Sequence, residues 1–332
     1  MHQLSAPFER SFSSAAALWI ALLAGLAGCR CSQRAPDKPA TAVQAAVEPE
    51  RSPVTRSLVG VWGSSPSDVW AVGPQGAVAH YDGKRWSEVT SPTVKNLSAI
   101  SGSAADDVWA VGEEGTTLHF DGESWTVFEQ DDELKLLGVW ASRKGEAWAA
   151  GLADQVGLLR RFNGVKWETV AIPAATTLWK VWGSSRDDIW LVGSDNKGAG
   201  FVLRGDGKHF DRMPFDGGSL RGLWGTAPGD VWISTYDGAL HHWDGNAWSA
   251  ASGLPEARLM SLWGTGSNDV WAIGFDGMIL HFNGSRWQRT PASSTQILWS
   301  VWGSASDDLW IVGNAGTILH WKGRAWSDQA AP

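Results

Sequence analysis

The side chains with the most chemical potential in this sequence come in matched pairs. Seven carboxylates, Asp68, Asp107, Glu146, Asp188, Asp230, Asp269 and Asp308, each stand two residues before a tryptophan: Trp70, Trp109, Trp148, Trp190, Trp232, Trp271 and Trp310. Ten residues after five of those tryptophans comes a histidine, at His80, His119, His242, His281 and His320. In the other two copies an arginine fills the place, Arg161 thirteen residues on and Arg204 fourteen. An acid and a base brought together could exchange a proton or help hold a metal ion. An active centre, however, is one arrangement unlike its surroundings, and here one pair is written seven times. The repetition assigns the pairs to the scaffold, and the residues imply no metal and no cofactor.

The elements that must position these pairs follow from the same repeat. A further tryptophan opens most copies, at Trp62, Trp140, Trp182, Trp224, Trp263 and Trp302, with Ser101 in the second; successive steps are 39, 39, 42, 42, 39 and 39 residues. A third closes each copy at Trp86, Trp125, Trp167, Trp248, Trp287 and Trp326, with Phe210 in the fourth. Each copy holds four short apolar runs punctuated by turn residues. In the first they are strand a at about 59–63, b at 69–73, c at 77–81 and d at 86–89. Pro74-Gln75-Gly76 suits a tight b–c hairpin with glycine in the left-handed region. Asp82-Gly83, Asp121-Gly122, Asn163-Gly164, Asp244-Gly245 and Asn283-Gly284 supply the turn into strand d. No segment has helical periodicity.

These features predict an all-β chain, a seven-bladed β-propeller with four antiparallel strands per blade. The propeller is expected over 57–332, with blades starting near 58, 97, 137, 178, 220, 259 and 298. The b–c hairpin would bring acid, tryptophan and base together in every blade. Nineteen of the 24 tryptophans occupy repeated strand positions. Each can bury roughly 150–250 Å², worth about 4–6 kcal/mol before entropy, so they are expected as wedges between blades. The net charge of −8 is spread along the chain with no Lys/Arg cluster, which excludes the electrostatic footprint of a nucleic-acid binder.

The N-terminus reads differently. Residues 15–28 are uncharged and mostly apolar, shorter than the roughly 20 residues of a spanning helix and suited to a signal peptide. Leu26-Ala27-Gly28-Cys29 resembles the bacterial lipobox. That resemblance implies a signal peptide over 1–28, cleavage before Cys29, a diacylglycerol on its sulfur and acylation of the new amino group. Two or three acyl chains would make a stable membrane anchor. Residues 29–56 then form a lipidated, disordered linker rich in Ala and Pro. Arg30, in place of an aspartate after the lipidated cysteine, implies the outer membrane by the sorting rule of enteric lipoproteins. Cys31 is expected as a free thiol, since two cysteines so close together do not make a structural disulfide.

The repeats V-W-G-S-x-x-x-D-V-W-A-V-G-x-x-G and L-H-F-D-G-x-x-W resemble the Trp-rich propeller repeats of secreted bacterial surface proteins. More loosely they are similar to two-component-regulator, Asp-box and WD-repeat propellers. The acid–base ladder resembles the structural His–Asp–Trp network of WD-repeat blades. Such repeats imply a fold and no single function. The sequence carries no G-x-S-x-G, no H-E-x-x-H, no calcium loop of the D-x-D-x-D-G kind and no phosphate-cradling glycine loop. Its two tyrosines, Tyr81 and Tyr236, stand in repeat or turn positions, unlike a sialidase nucleophile.

Function is then expected where the repeats break. Copies three and four carry extra residues in the b–c connections, 152–156 and 194–199, offering Asp154, Asp195, Asn196 and Lys197. Three residues before the opening tryptophan stand Trp179 and Trp299, where other copies have residues such as Val59, Ser98, Arg221 and Met260. By analogy with WD-repeat geometry, d–a and b–c loops share one face of the disc, so these residues form the candidate partner-binding surface. The expected function is a non-catalytic interaction or assembly scaffold, anchored in the cell envelope by lipid and contacting another envelope protein. The alternative is a glycan-binding lectin. Several exposed, equivalent tryptophans would favour the lectin, and tryptophans buried in all blades the scaffold.

Overall fold

In a computed structural model of the chain, residues 54–329 are described and form seven four-stranded antiparallel sheets, each made from one repeat in the order a-b-c-d. The a strands are Gly60–Ser65, Leu97–Ala104, Leu134–Arg143, Thr177–Ser185, Leu220–Ala227, Leu259–Gly266 and Leu298–Ala305. Each packs against the a strand of the blade before and after it, and the last packs against the first, so the ring is closed. Among the described residues the only helical pieces are the three-residue turns Pro74–Gly76, Phe275–Gly277 and Asn314–Gly316. The expected signal peptide, Cys29 and the linker up to residue 53 lie outside the described residues.

Burial explains the strand pattern. Strand b of the first blade, Asp68–Gly73, is buried at every position after the aspartate, because neighbouring blades cover both of its faces. A strand sealed on both sides reads as a continuous apolar run, not an alternation. Strand d, Trp86–Glu88, buries only its tryptophan and forms the outer edge.

The b-strand tryptophans are wedges between blades. Trp70 meets Phe120 and Trp125 of the second blade at ring separations of 4.7 and 5.4 Å. Trp109 meets Phe162 and Trp167 of the third, and Trp271 meets Trp321 and Trp326 of the seventh. Trp310 closes the ring on Tyr81 and Trp86 of the first blade at 4.7 and 5.3 Å. Tilted and edge-on aromatic pairs of this kind add about 0.5–1.5 kcal/mol beyond the area they bury.

The opening tryptophans act differently from the wedges expected: all six are only half-buried. Each lies over a glycine in the a strand of the next blade. A Cβ added at Gly102 would come within 2.5 Å of Trp62, one at Gly183 within 2.5 Å of Trp140, and one at Gly63 within 2.6 Å of Trp302. The second copy has Ser101 in place of the tryptophan, and the facing position in the third blade is Ala141, not glycine. Ser101 Oγ accepts a hydrogen bond from the Ala141 backbone N–H at 3.1 Å. Where the ring is missing, the methyl is allowed.

Two expectations change in detail. The extra residues of the third copy do not make a loop: strands Glu146–Ala153 and Val156–Phe162 pair out to Ala153 opposite Val156. Only Asp154 and Gln155 remain, with φ of 46° and 66°, the two left-handed residues of a tight hairpin turn. The insertion therefore lengthens the ladder, and the a strand answers by starting at Leu134 and pairing it with Ala153. The second change is at the domain boundary. Val54 is 2% exposed and packs with Trp310, Val312 and Ile318, while Leu58 N–H donates to Gly313 and Ala315 N–H to Ser57 Oγ. Residues 54–57 thus take the place a d–a connection has between other blades.

Candidate functional site

All seven expected acid–base pairs form. His Nε2 lies 2.7 Å from Asp68, 2.9 Å from Asp107, and 2.6 Å from each of Asp230, Asp269 and Asp308. Arg161 reaches Glu146 at 2.5 Å and Arg204 reaches Asp188 at 2.6 Å. The base also covers the b-strand tryptophan. His281 stacks on Trp271 at 4.0 Å and 12°, and His320 on Trp310 at 3.7 Å and 11°. Arg204 lies 4.6 Å over the Trp190 ring.

The second oxygen of each carboxylate is also taken. It accepts from Ser64, Ser103, Ser184, Thr226, Thr265 or Ser304, and in the third blade from Arg143. Burial opposes ionisation of Asp68, Asp107, Asp269 and Asp308. Hydrogen bonds from the histidine and the hydroxyl outweigh it, and each carboxyl sits below its ordinary range. With a hydrogen bond on each oxygen, the carboxylate ties strand b to strand c under the tryptophan. His242 also reaches a cleft between the fifth and sixth blades with Ser252 and Asn268, but its Nε2 is committed to Asp230. No group of three or more His, Cys, Asp or Glu suited to a metal occurs among the described residues.

A different site lies at the end of the disc where the a strands begin. One residue per blade, at the same register, rings the mouth of the central channel: Val59, Ser98, Leu137, Trp179, Arg221, Met260 and Trp299. Residues at the b–c connections, including Tyr236 and Phe275, extend the wall around a cavity of about 500 Å³. The Arg221 guanidinium lies 3.4 Å from the Trp179 ring centre and 5.3 Å from that of Tyr236. Arg258 lies 5.5 Å from the rings of both Tyr236 and Phe275, and Phe275 meets Trp299 at 6.4 Å. Two wall tryptophans are fixed by their indole N–H groups: Trp179 donates to Ser194 at 3.0 Å and Trp299 to Asn314 at 2.7 Å.

Lys180 also lines this cavity. Water reaches it through the channel, but protein surrounds it. Burial holds its ammonium below the ordinary lysine range, and the charge of Arg221 pushes the same way.

The expected site residues therefore divide. Trp179 and Trp299 stand in the mouth. Asp154 is at a hairpin tip, and Asp195, Asn196 and Lys197 are in the fourth blade's b–c turn; none of the four lines the cavity. Asp195 is occupied locally, its carboxylate accepting from the N–H groups of Lys197 and Ala199. Those hydrogen bonds lower its pKa. The contact joining the two sets is Trp179 to Ser194, at the base of that turn.

Lys180 and Arg221 were missed as site residues, although the sequence carries a signal for both. Two residues before the opening tryptophan the other six copies have only Gly60, Ala99, Gly138, Gly222, Ser261 and Ser300. Lys180 is the one large side chain at that register, and Arg221 is the one charge at the register of Trp179.

No protein-family description matches this chain, and no curated protein does. Solved structures match its fold. YCF48 bound to a D1 peptide superposes with a TM-score of 0.67 over 82% of this chain and 95% of that one, at 20% identity. The WD40 β-propeller domain of Doa1 gives 0.65 over 83% and 95%, at 13% identity. The extracellular domain of a hybrid two component system from B. thetaiotaomicron gives 0.63 over 80% of this chain and 40% of that one, at 13% identity. At these identities the likeness shows the propeller fold alone, and this chain is similar to these proteins as one propeller is to another.

Proposed function

We propose that this chain is a non-catalytic protein-interaction scaffold of the bacterial cell envelope, held to the outer membrane by a lipid on Cys29, with the channel mouth as its contact site. The observation that carries the reading is the contrast between the ladder and the mouth. The seven acid–base pairs are alike and fully partnered, so they serve the ring. The mouth is the place where seven equivalent positions hold six different residue types, as a single asymmetric partner requires. YCF48, similar in fold, is a propeller with a bound peptide, which supports a peptide-binding role for such a ring. The tryptophans weigh against the lectin alternative, because no tryptophan among the described residues is exposed and sugar stacking needs an open ring face.

The test is site-specific photocrosslinking in the native envelope. A photoreactive residue at Met260, in the mouth, should capture a protein. The same group at Val165, 79% exposed in a c–d turn at the other end of the disc, should not. Capture from Val165 alone would discard the contact site, and binding of glycans with no protein captured would discard the scaffold reading.

A further inference from the structure

The mouth holds cations that the protein itself leaves unmatched. No carboxylate among the described residues forms a salt bridge with Lys180 or Arg221. The one acid on the wall, Glu113, is already held by Lys135 at 3.0 Å and Asn96 at 2.7 Å. Arg221 Nε is buried without a hydrogen-bond partner, and the charge that acts on Lys180 is that of another cation, Arg221. A partly buried cation without a counter-ion carries a desolvation cost, and six sister copies show that a small residue suffices at the position of Lys180. Such an arrangement is the signature of a site organised for a ligand that brings the missing charge.

We propose that the mouth takes an extended segment of a partner protein carrying at least two Asp or Glu side chains, whose carboxylates pair with Lys180 and Arg221 while an apolar neighbour packs on Tyr236, Phe275 and Trp299. This rests on the scaffold reading above and names the chemistry of its partner. Side-chain carboxylates fit better than one chain terminus, because several cations converge and a terminus supplies a single charge. A peptide fits better than a nucleic acid: the cavity has the size of a small-ligand pocket, and a long polyanion lying across the face would meet a protein of net charge −8. A short segment entering tip-first meets the local cations. The planar Arg221 fork, stacked on Trp179, is pre-oriented for a bidentate carboxylate.

The experiment uses the full chain and an array of acetylated, amidated random decapeptides, which carry no terminal charge. Peptides retained by the protein should be enriched in Asp and Glu, and copies with Gln or Asn in their place should bind at least about tenfold more weakly. Lys180→Met and Arg221→Met should each lose binding to a similar degree, while Lys208→Met, exposed in a c–d turn at the other end of the disc, should not. Lys180→Met should also melt at a higher temperature than the wild type, which separates lost binding from lost fold. Retained peptides without acidic residues that still need the mouth would overturn this proposal and leave the scaffold intact. Unchanged binding by both mouth variants would overturn the site, and no peptide retained at all would overturn the proposal while the photocrosslinking above decides the scaffold reading.

Discussion

The glycine under each opening tryptophan permits a sharp test of how the blades are held. At Gly183 an added methyl carbon would come within 2.5 Å of one Trp140 ring atom, within 2.7 Å of a second and within 2.9 Å of the Asp188 carbonyl oxygen. Ordinary carbon contacts begin near 3.5 Å, so the overlap is about 1 Å against the ring and roughly half that against the carbonyl, and neither the ring nor the strand can yield freely. Overpacking of this size costs about 1–3 kcal/mol, and Gly183→Ala should lower the urea midpoint accordingly with an unchanged slope. The second and third blades supply the converse. Ser101→Trp should be destabilising alone, because its ring would meet the Ala141 methyl. Ala141→Gly alone should cost about 0.5–1 kcal/mol in strand entropy. Together they rebuild the pair found in the other six interfaces, so the double variant should be more stable than the two single effects summed, by about 1–3 kcal/mol of coupling. Additive effects, or a neutral Gly183→Ala, would refute the claim that ring and glycine are one device.

Other outcomes follow from the same geometry. Asp269→Ala strands His281 against Trp271 and should cost about 1–3 kcal/mol, read by thermal unfolding. The depressed pKa values of Asp68, Asp107, Asp269 and Asp308 add stability that is complete above the ordinary aspartate pKa of about 3.9 and is lost as pH falls through the lower folded values. Melting temperature should therefore drop below about pH 4, and Asp269→Asn should flatten that drop. Trp310→Ala opens the interface between the last blade and the first and should cost about 3–5 kcal/mol, with hydrogen exchange rising first in those two blades. Cys29→Ala should release the protein from the membrane fraction, and mass spectrometry of the native N-terminus should find an acylated peptide beginning at Cys29.

Much of the fold was legible because the repeat forces it. A side chain that recurs at one register in seven copies meets the same neighbours seven times, so Asp269, Trp271 and His281 could be placed together before any coordinate was known. The exchange of Trp62 for Ser101 was visible too, but its consequence at Ala141 was not, since the two belong to different blades and meet only when the ring closes. The mouth was half legible. Trp179 and Trp299 stood out as departures from the repeat, whereas the charges of Lys180 and Arg221 gain meaning only where the channel brings them together. The 152–156 segment was misread as a loop because added length in a hairpin can go into the turn or into the strands. Leu152 and Ala153 found partners in Lys135 and Leu134, and that pairing decided it.

By itself the sequence determined the number of blades, the strands in each, the turns between them and the ladder that pins strand b to strand c. All of these are local or repeated, and short-range sterics and the recurrence of the same apolar runs suffice to specify them. Only the tertiary structure decided which residues share a cavity. The seven mouth positions lie about forty residues apart along the chain and face one another solely because the ring closes. Closure is also what brings Lys180 beside Arg221 with no carboxylate paired to either, and so turns two scattered cations into one unmatched pair.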